Sequence, residues 1–299
     1  MKKKHTSKAD YYPSAKHAKS ASFAQGKFND NAKNKFKEKS KSPKANRPKN
    51  PYFYGIHAVT MLLKRRPEDV LNLFLQARDD GQMSDEHQRI AQLAQAFGIS
   101  VQSTHKDRLA ELCDSHQHQG VVAAAKATPM ADEGLLDKLA EKPDALFLVL
   151  DQITDAHNLG ACLRSACAMG VDAVIIPRHQ SAPMTATVAK VSVGASEVID
   201  VVTVTNLART LDKLKKAGVF VFGTALDETA KAAYDCDFGG KVAIIMGSEG
   251  EGMRRLTQEL CDTLVYIPMV EIADRPQSLN VSVATGMMLY EVFRQRRGK

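Results

Sequence analysis

The first fifty residues contain no valine, leucine or isoleucine. A segment without large aliphatic side chains cannot bury enough apolar surface to offset the entropy of ordering its backbone, so residues 1–50 read as a disordered arm. No window of the chain approaches the ~18 uninterrupted apolar residues of a membrane span. No apolar core follows the early lysines, which excludes a secretory leader. Cysteine is sparse: Cys113, Cys162, Cys167, Cys236 and Cys261 are odd in number, and no two have C-x-x-C spacing. That argues against a disulfide framework and against a zinc or other metal site, and it fits a reducing cytoplasm.

What the arm does contain is charge. Residues 1–50 hold 14 Lys and one Arg against two Asp and one Glu, a net +12. The whole chain is +7, so residues 51–299 carry −5 and the basic character belongs to the arm alone. Tyr11, Tyr12, Phe23, Phe28 and Phe36 are interleaved with the lysines. Cations with interspersed rings suit a polyanion-binding arm, RNA foremost, with rings to stack on bases. The alternative is a solubilising tail.

From Tyr52 to about Ala125 the pattern is a small α/β block. Gly55–Leu63 reads as a short helix and Val70–Leu75 as a buried strand. Ile90, Leu93, Ala94 and Phe97 recur at helical spacing up to Gly98, and Ile99–Val101 and Gly120–Ala125 read as strands. Residues 127–144, with Pro129, Gly134 and Pro143, look like a linker with a weakly helical stretch. From Ala145 onward continuous apolar runs at Leu146–Leu150, Ala173–Ile176, Val219–Phe222 and Val242–Met246 alternate with helical patterns at 159–169, 206–217 and 252–261. Apolar runs of this kind are strands covered on both faces, so the class is α/β with a parallel sheet and helices on both sides.

Three segments lie just beyond predicted strand ends, where ligands bind in such sheets. The first is Asn158-Leu159-Gly160-Ala161-Cys162-Leu163-Arg164. Arg164 has only Gly160, Ala161, Cys167 and Ala168 at i±3 and i±4. Either a ligand supplies its counter-charge, or its stem lies along a helix contact with its head in water. Asn158 is either a helix N-cap or a functional side chain. The second is Gly247-Ser248-Glu249-Gly250-Glu251-Gly252, opening a helix after a buried strand. It has no lysine, and its acids repel phosphate but suit ribose hydroxyls or a cationic group; a tight turn with solvated acids is the alternative. The third is Ile267-Pro268-Met269 followed by Ser278-Leu279-Asn280 and an apolar helix, Val281, Val283, Ala284, Met287, Met288 and Leu289. Capping explains Ser278 or Asn280 but not both, and a helix apolar nearly all round belongs in a core or a subunit interface.

In this order the three segments resemble the motifs of the SpoU/TrmH family of RNA ribose methyltransferases, over about residues 145–297. Tyr54-Gly55-Ile56-His57-Ala58 and His118-Gln119-Gly120-Val121 resemble the small substrate-binding domain of its ribosomal RNA members. The nearest branch methylates a guanosine ribose in bacterial large-subunit ribosomal RNA. The resemblance implies a SPOUT-class catalytic domain, 145–299, tied in a deep trefoil knot, behind a small RNA-binding domain, 51–126. It implies S-adenosyl-L-methionine as cofactor, ribosomal RNA or an assembly intermediate as partner, and a homodimer with the site at its interface. By motif position Gly247, Ile267 and Leu279 would hold the cofactor, largely through backbone groups. Arg164, Asn158, Glu249, Ser278 and Asn280 would form the catalytic set. The connection Val270–Gln277 is longer than is usual in that family and carries Glu271 and Asp274.

Other readings are a transfer RNA ribose methyltransferase, a non-catalytic RNA-binding or ribosome-assembly protein, and a phosphate-binding nucleotide enzyme. The small leading domain argues against the first, the filled catalytic positions against the second, and the lysine-free glycine turn against the third.

Overall fold

A computed structural model describes residues 51–77, 81–270 and 278–298. The basic arm and residues 271–277 of the long connection lie outside the described residues.

The chain builds the smaller sheet first. β1 (Tyr52–Tyr54) leads through α1 (Ile56–Arg65) to β2 (Val70–Gln76), then α2 (Asp85–Ala96), β3 (Val101–Thr104), α3 (Lys106–Cys113) and β4 (Val121–Ala125). The order is β1-β4-β2-β3, with β4 antiparallel to both neighbours and β2 parallel to β3. Ser84 caps α2 by accepting from the His87 amide. β2 corrects the expectation of a continuously buried strand: Leu73 and Leu75 enter the core while Leu71 is 43% exposed, so its side chains alternate. Phe53, Val59, Leu62 and Val121 complete that core.

The larger sheet follows. Its elements are α4 (Gly134–Leu139), β5 (Leu146–Leu150), α5 (Ala156–Ala168), β6 (Ala173–Pro177), α6 (Ala186–Val191), β7 (Asp200–Val204), α7 (Leu207–Lys216), β8 (Phe220–Thr224), β9 (Lys231–Ala232), β10 (Val242–Met246), α8 (Arg255–Glu259), β11 (Thr263–Tyr266) and α9 (Val281–Arg297). Seven strands lie in the order β7-β6-β5-β10-β8-β11-β9, and every pairing is parallel. β5, β6 and β10 are buried at every residue because both faces are covered. Leu159, Leu163, Val188, Val281 and Met288 pack on one face, and Leu136, Leu207, Leu211 and Leu214 on the other. The 127–144 segment contributes α4, whose Leu136, with Ala140, is buried in this core.

Two expectations change here. α8 is shorter than the helix read at 252–261, and the glycine turn precedes it instead of opening it. α9 is not buried all round: Val281, Thr285, Met288 and Leu289 face the core, but Val283, Met287 and Tyr290 are 51%, 45% and 55% exposed. These three recur at i, i+4 and i+7, so they form one apolar stripe on the helix surface.

The two sheets are joined through a buried arginine. Arg66, at the end of α1, is 7% exposed. Its Nε lies 2.7 Å from Oε2 of Glu197, whose side chain is 1% exposed and which follows α6 in the larger half. Its Nη1 donates to the Lys126 carbonyl at 3.0 Å and its Nη2 to Thr128 Oγ1 at 3.1 Å, both just beyond β4 where the chain crosses to the larger half. Thr128 Oγ1 in turn donates to Glu197 Oε1 at 3.0 Å. One guanidinium thus ties the small sheet, the connection and the large half together. Arg66→Ala is expected to strand the Glu197 carboxylate and cost about 3–5 kcal/mol, read as a lowered urea midpoint. An unchanged midpoint would show that the junction carries no stability.

Candidate functional site

The strand order reverses between β5 and β10, and open α/β sheets bind ligands in the crevice at such a reversal. β5 ends at Leu150, β10 at Met246 and β11 at Tyr266, so the three sequence motifs emerge at one end of the sheet.

Asp151, fully buried after β5, fixes the second motif to the first. Its amide donates to the Met246 carbonyl at 2.8 Å. Its carboxylate accepts from Arg254 Nε at 2.9 Å and from the Arg254 amide at 3.1 Å, and Arg254 Nη2 lies at 2.7 Å. Sequence reading missed both residues, because a pair 103 positions apart leaves no local periodicity. The one available signal is an acid placed directly after a strand buried on both faces.

Between these anchors the glycine turn closes on itself. Ser248 and Gly252 exchange two backbone hydrogen bonds of 3.0 Å, which uses up the amides a helix start would need. At Gly247 a Cβ would collide with the backbone of Gly252 and Met253, so only glycine permits this closure.

Glu249 is where the motifs meet. Its Oε1 accepts from Asn280 Nδ2 at 2.5 Å, from the Val281 amide at 3.1 Å and from Asn158 Nδ2 at 3.2 Å. Asn280 Nδ2 also reaches Asn158 Oδ1 at 3.0 Å. The carboxylate sits at the N-terminus of the 17-residue α9, where negative charge is favoured by the helix dipole. Asn280 caps α9, its Oδ1 accepting from the Ser282 amide at 2.9 Å. Asn158 is not a cap. Asp155 caps α5, accepting from the Asn158 amide at 2.8 Å, which leaves the Asn158 amide side chain free for the cluster.

Beside the cluster lies a cavity of about 360 Å3 lined by Gly247, Glu249, Glu251, Ile267, Ser278 and Leu279, among others. Leu226 and Met269 add apolar wall, and no Lys, Arg or His lines it among the described residues. It therefore suits a neutral or cationic nucleoside and disfavours a phosphate.

Of the predicted site residues, Asn158, Glu249 and Asn280 are joined by hydrogen bonds, and Gly247, Glu249, Ile267, Ser278 and Leu279 line the cavity. Arg164 belongs to neither group. It is exposed on α5 and makes no hydrogen bond or ion pair among the described residues. Cys162, one turn before Cys167 and Ala166 in the same helix, is no nucleophile, since burial pushes its thiol up to about 11.

Two family models match the chain: the SpoU rRNA Methylase family over residues 145–290, and the RNA 2'-O ribose methyltransferase substrate binding family over 52–131. The 23S rRNA (guanosine-2'-O-)-methyltransferase RlmB of Acinetobacter baylyi is 51% identical over 253 residues, covering 84% of this chain and 99% of that protein. Its namesake in Shewanella oneidensis is 48% identical over 251 residues, covering 83% and 99%. The chain belongs to the SpoU rRNA methylase family. Solved members share the fold. The SpoU methyltransferase AviRb of Streptomyces viridochromogenes superposes with a TM-score of 0.67 at 23% identity, over 84% of this chain and 91% of that one. An RNA 2'-O ribose methyltransferase superposes with a TM-score of 0.67 at 25% identity, over 83% and 90%.

Glu249→Ala removes the acceptor shared by α5 and α9. The cluster is partly exposed, so a loss of about 1–2 kcal/mol is expected in urea unfolding. Glu251→Ala, on the same turn but outside the cluster, is expected to stay within about 0.5 kcal/mol of the parent. Equal losses would contradict the assignment of Glu249 as the joint.

Proposed function

We infer that this chain is an S-adenosyl-L-methionine-dependent methyltransferase that modifies the 2′-hydroxyl of a guanosine ribose in 23S ribosomal RNA. The observation that carries the inference is identity of 45–51% to relatives named for that reaction, across 98–99% of their length for the first four. The transfer RNA reading has no relative of comparable identity in its favour among these.

The residues present fit the cofactor. Among the described residues the cavity has acids but no cations, apolar walls for a base, and a backbone cradle at Gly247 that a side chain would fill. A fold neighbour, AviRb, has been solved in complex with AdoMet. Gly247, Ile267 and Leu279 would hold the adenosine part. When bound, the cofactor supplies a methyl group on a positively charged sulfonium.

The remaining roles are those of this chain's own side chains. Arg164 keeps its proton at pH 7, because a free guanidinium has a pKa above ~12, so it is a poor base. It would orient the ribose hydroxyl and a neighbouring phosphate, and stabilise negative charge as it develops on the oxygen. Its exposure and lack of a local carboxylate support a role toward RNA. Asn158 and Ser278 would fix the hydroxyl and ribose, while Glu249 and Asn280 hold Asn158 in place. Alignment of oxygen and methyl group would supply much of the rate.

Three structural expectations belong with this reading. A second copy would cover the apolar stripe of Val283, Met287 and Tyr290, giving a homodimer with α9 at its interface. The trefoil knot would involve the return from β11, beyond β8, to α9 packed back on α5; that crossing order supports it. The working division is a basic RNA-binding arm at 1–50, a substrate-binding domain at 51–126, a connection at 127–144 and a catalytic domain at 145–299, in a cytoplasmic protein.

Mapping of 2′-O-methylribose in total RNA with and without the gene is expected to lose one mark in 23S ribosomal RNA; no change in any RNA would refute the activity. Arg164→Ala is expected to abolish methylation with AdoMet affinity retained, and loss of both would assign Arg164 to the structure instead. Removal of residues 1–50 is expected to flatten the salt dependence of RNA binding, whereas a constant slope would leave the arm a solubiliser.

A further inference from the structure

The two motifs of the small sheet are not used by the site described above, yet they converge on a single place. The Gly55 amide donates to the Val121 carbonyl at 3.0 Å, and the Ile56 amide to Gln119 Oε1 at 3.3 Å. Gln119 Oε1 also accepts from the Lys190 ammonium, which projects from α6 of the larger half. Gly55 has φ +93°, and a Cβ there would strike Lys190 and Gln119. Bare backbone at Gly55 is what lets the lysine enter.

The place is a cleft of about 460 Å3 between the two halves, lined by Lys106, His116, Gln117, His118 and Gln119 from one side and Lys190 from the other. No carboxylate lines it, and Lys106, His116 and Lys190 form no ion pair, among the described residues. Two lysines and no carboxylate in the lining of one cleft, in a body whose net charge is −5, suit an anionic occupant, while the acids Asp107, Glu111 and Asp114 line the adjoining pocket on the far side of His116. Lys190 is half-buried, and loss of water lowers its proton affinity from the usual lysine range; among the described residues its hydrogen-bond acceptor is the neutral Gln119 amide.

His118 is part of the cleft lining. It is 1% exposed and its Nδ1 accepts from the Gly120 amide at 3.0 Å, so the ring hydrogen is on Nε2. Nε2 is turned toward the Lys106 backbone and finds no hydrogen bond of normal geometry there. Burial holds this imidazole below its usual range, and the charges of Lys106, His116 and Lys190 push in the same direction. The cleft thus has lysines in its lining and a buried imidazole, held toward its neutral form, in its floor.

We propose that this cleft between the two halves is a binding site for a backbone phosphate of the RNA substrate, held by Lys106, His116 and Lys190 together. This rests on the reading of the protein as an RNA methyltransferase. Phosphate contacts set register and orientation without reading sequence. Lys190 is well placed for that, since α6 packs directly on α5, the helix that carries Asn158 and Arg164.

The test is the salt dependence of binding of the full-length protein to transcribed 23S ribosomal RNA, for the parent, Lys106→Gln, Lys190→Gln and the double variant. Each lysine removed is expected to lower the slope of log affinity against log salt by about 0.7–0.9. KM for RNA should rise, with AdoMet affinity unchanged. Lys106 is exposed, so its variant reports on binding without a folding effect. Lys213→Gln, on α7 and paired with Asp137 at 3.3 Å, is the control and should not change the slope by that amount. Parental slopes in both cleft variants, or an equal loss in the control, would overturn the proposal. A parent that binds this RNA but does not methylate it would refute the enzymatic reading, and the slopes would still decide the cleft. A parent that does not bind it would end both.

Discussion

One carboxylate oxygen holds the three sequence motifs together. Oε1 of Glu249 accepts from the Asn158 side chain, the Asn280 side chain and the first amide of α9. Those donors come from motifs 91 and 31 residues away in sequence. No single bond is worth much in a partly exposed cluster, on the order of 1 kcal/mol. Its effect is geometric: α5 cannot move relative to the glycine turn without breaking the Asn158 bond, nor α9 without breaking the other two. The turn cannot drift either, because Asp151 clamps Arg254 through its side chain and its amide. A cavity built of loops therefore behaves as if cut from the rigid sheet beneath it, which alignment of two reacting atoms demands.

Arg66 does for the two halves what Glu249 does for the motifs. A buried guanidinium can be satisfied only if Glu197, Thr128 and the Lys126 carbonyl are all in position, so the small domain has one preferred seat on the large one. α6 shares in both tasks. It packs on α5 in the catalytic half, and its Lys190 meets Gln119 in the small half. Rigid seating matters for a long substrate, because a contact made on one domain constrains the nucleotide presented to the other only if the domains keep their relation.

The parts legible in the sequence were those with a local cause. Strands buried on both faces must read as apolar runs, so Leu146–Leu150, Ala173–Ile176 and Val242–Met246 were visible, and with them the parallel sheet. β7, starting at Asp200 on the sheet's margin, and the two-residue β9 lack such runs and were not seen. The motifs pointed to the cavity because their residue types limit its chemistry: glycines for close backbone approach and acids without lysine. Hidden were the long-range pairs, Asp151 with Arg254 and Arg66 with Glu197, since a charge looks the same in sequence whether its partner is water or a buried acid. Asn158 was ambiguous for a related reason. Its role as cap or as donor depended on whether Asp155, three residues earlier, took the cap, and both choices fit the local sequence. Topological rules would likewise not have suggested a knot, which they treat as near-absent; only the family resemblance did.

The distribution of charge separates two jobs that a single basic protein surface would confuse. The arm carries +12 on fifty residues, the body −5. At physiological ionic strength charges are screened beyond about 8 Å, so an acidic body does not cancel the arm; each acts on what is next to it. An arm without valine, leucine or isoleucine, rich in lysine and rings, is suited to counterion release and stacking, neither of which depends on sequence. Lysines fixed in a cleft whose described lining holds no acid do something different: they accept a phosphate only where the folded RNA presents one. Since neither reads base edges, the choice of guanosine must come from polar groups near the reacting ribose. Ser278 lines the cavity and Arg164 is exposed on α5, and the roles proposed for both concern the ribose rather than the base. The base itself must then be recognised by neighbouring loops, by a second copy of the chain, or by the shape of the RNA that the cleft and the arm hold in register.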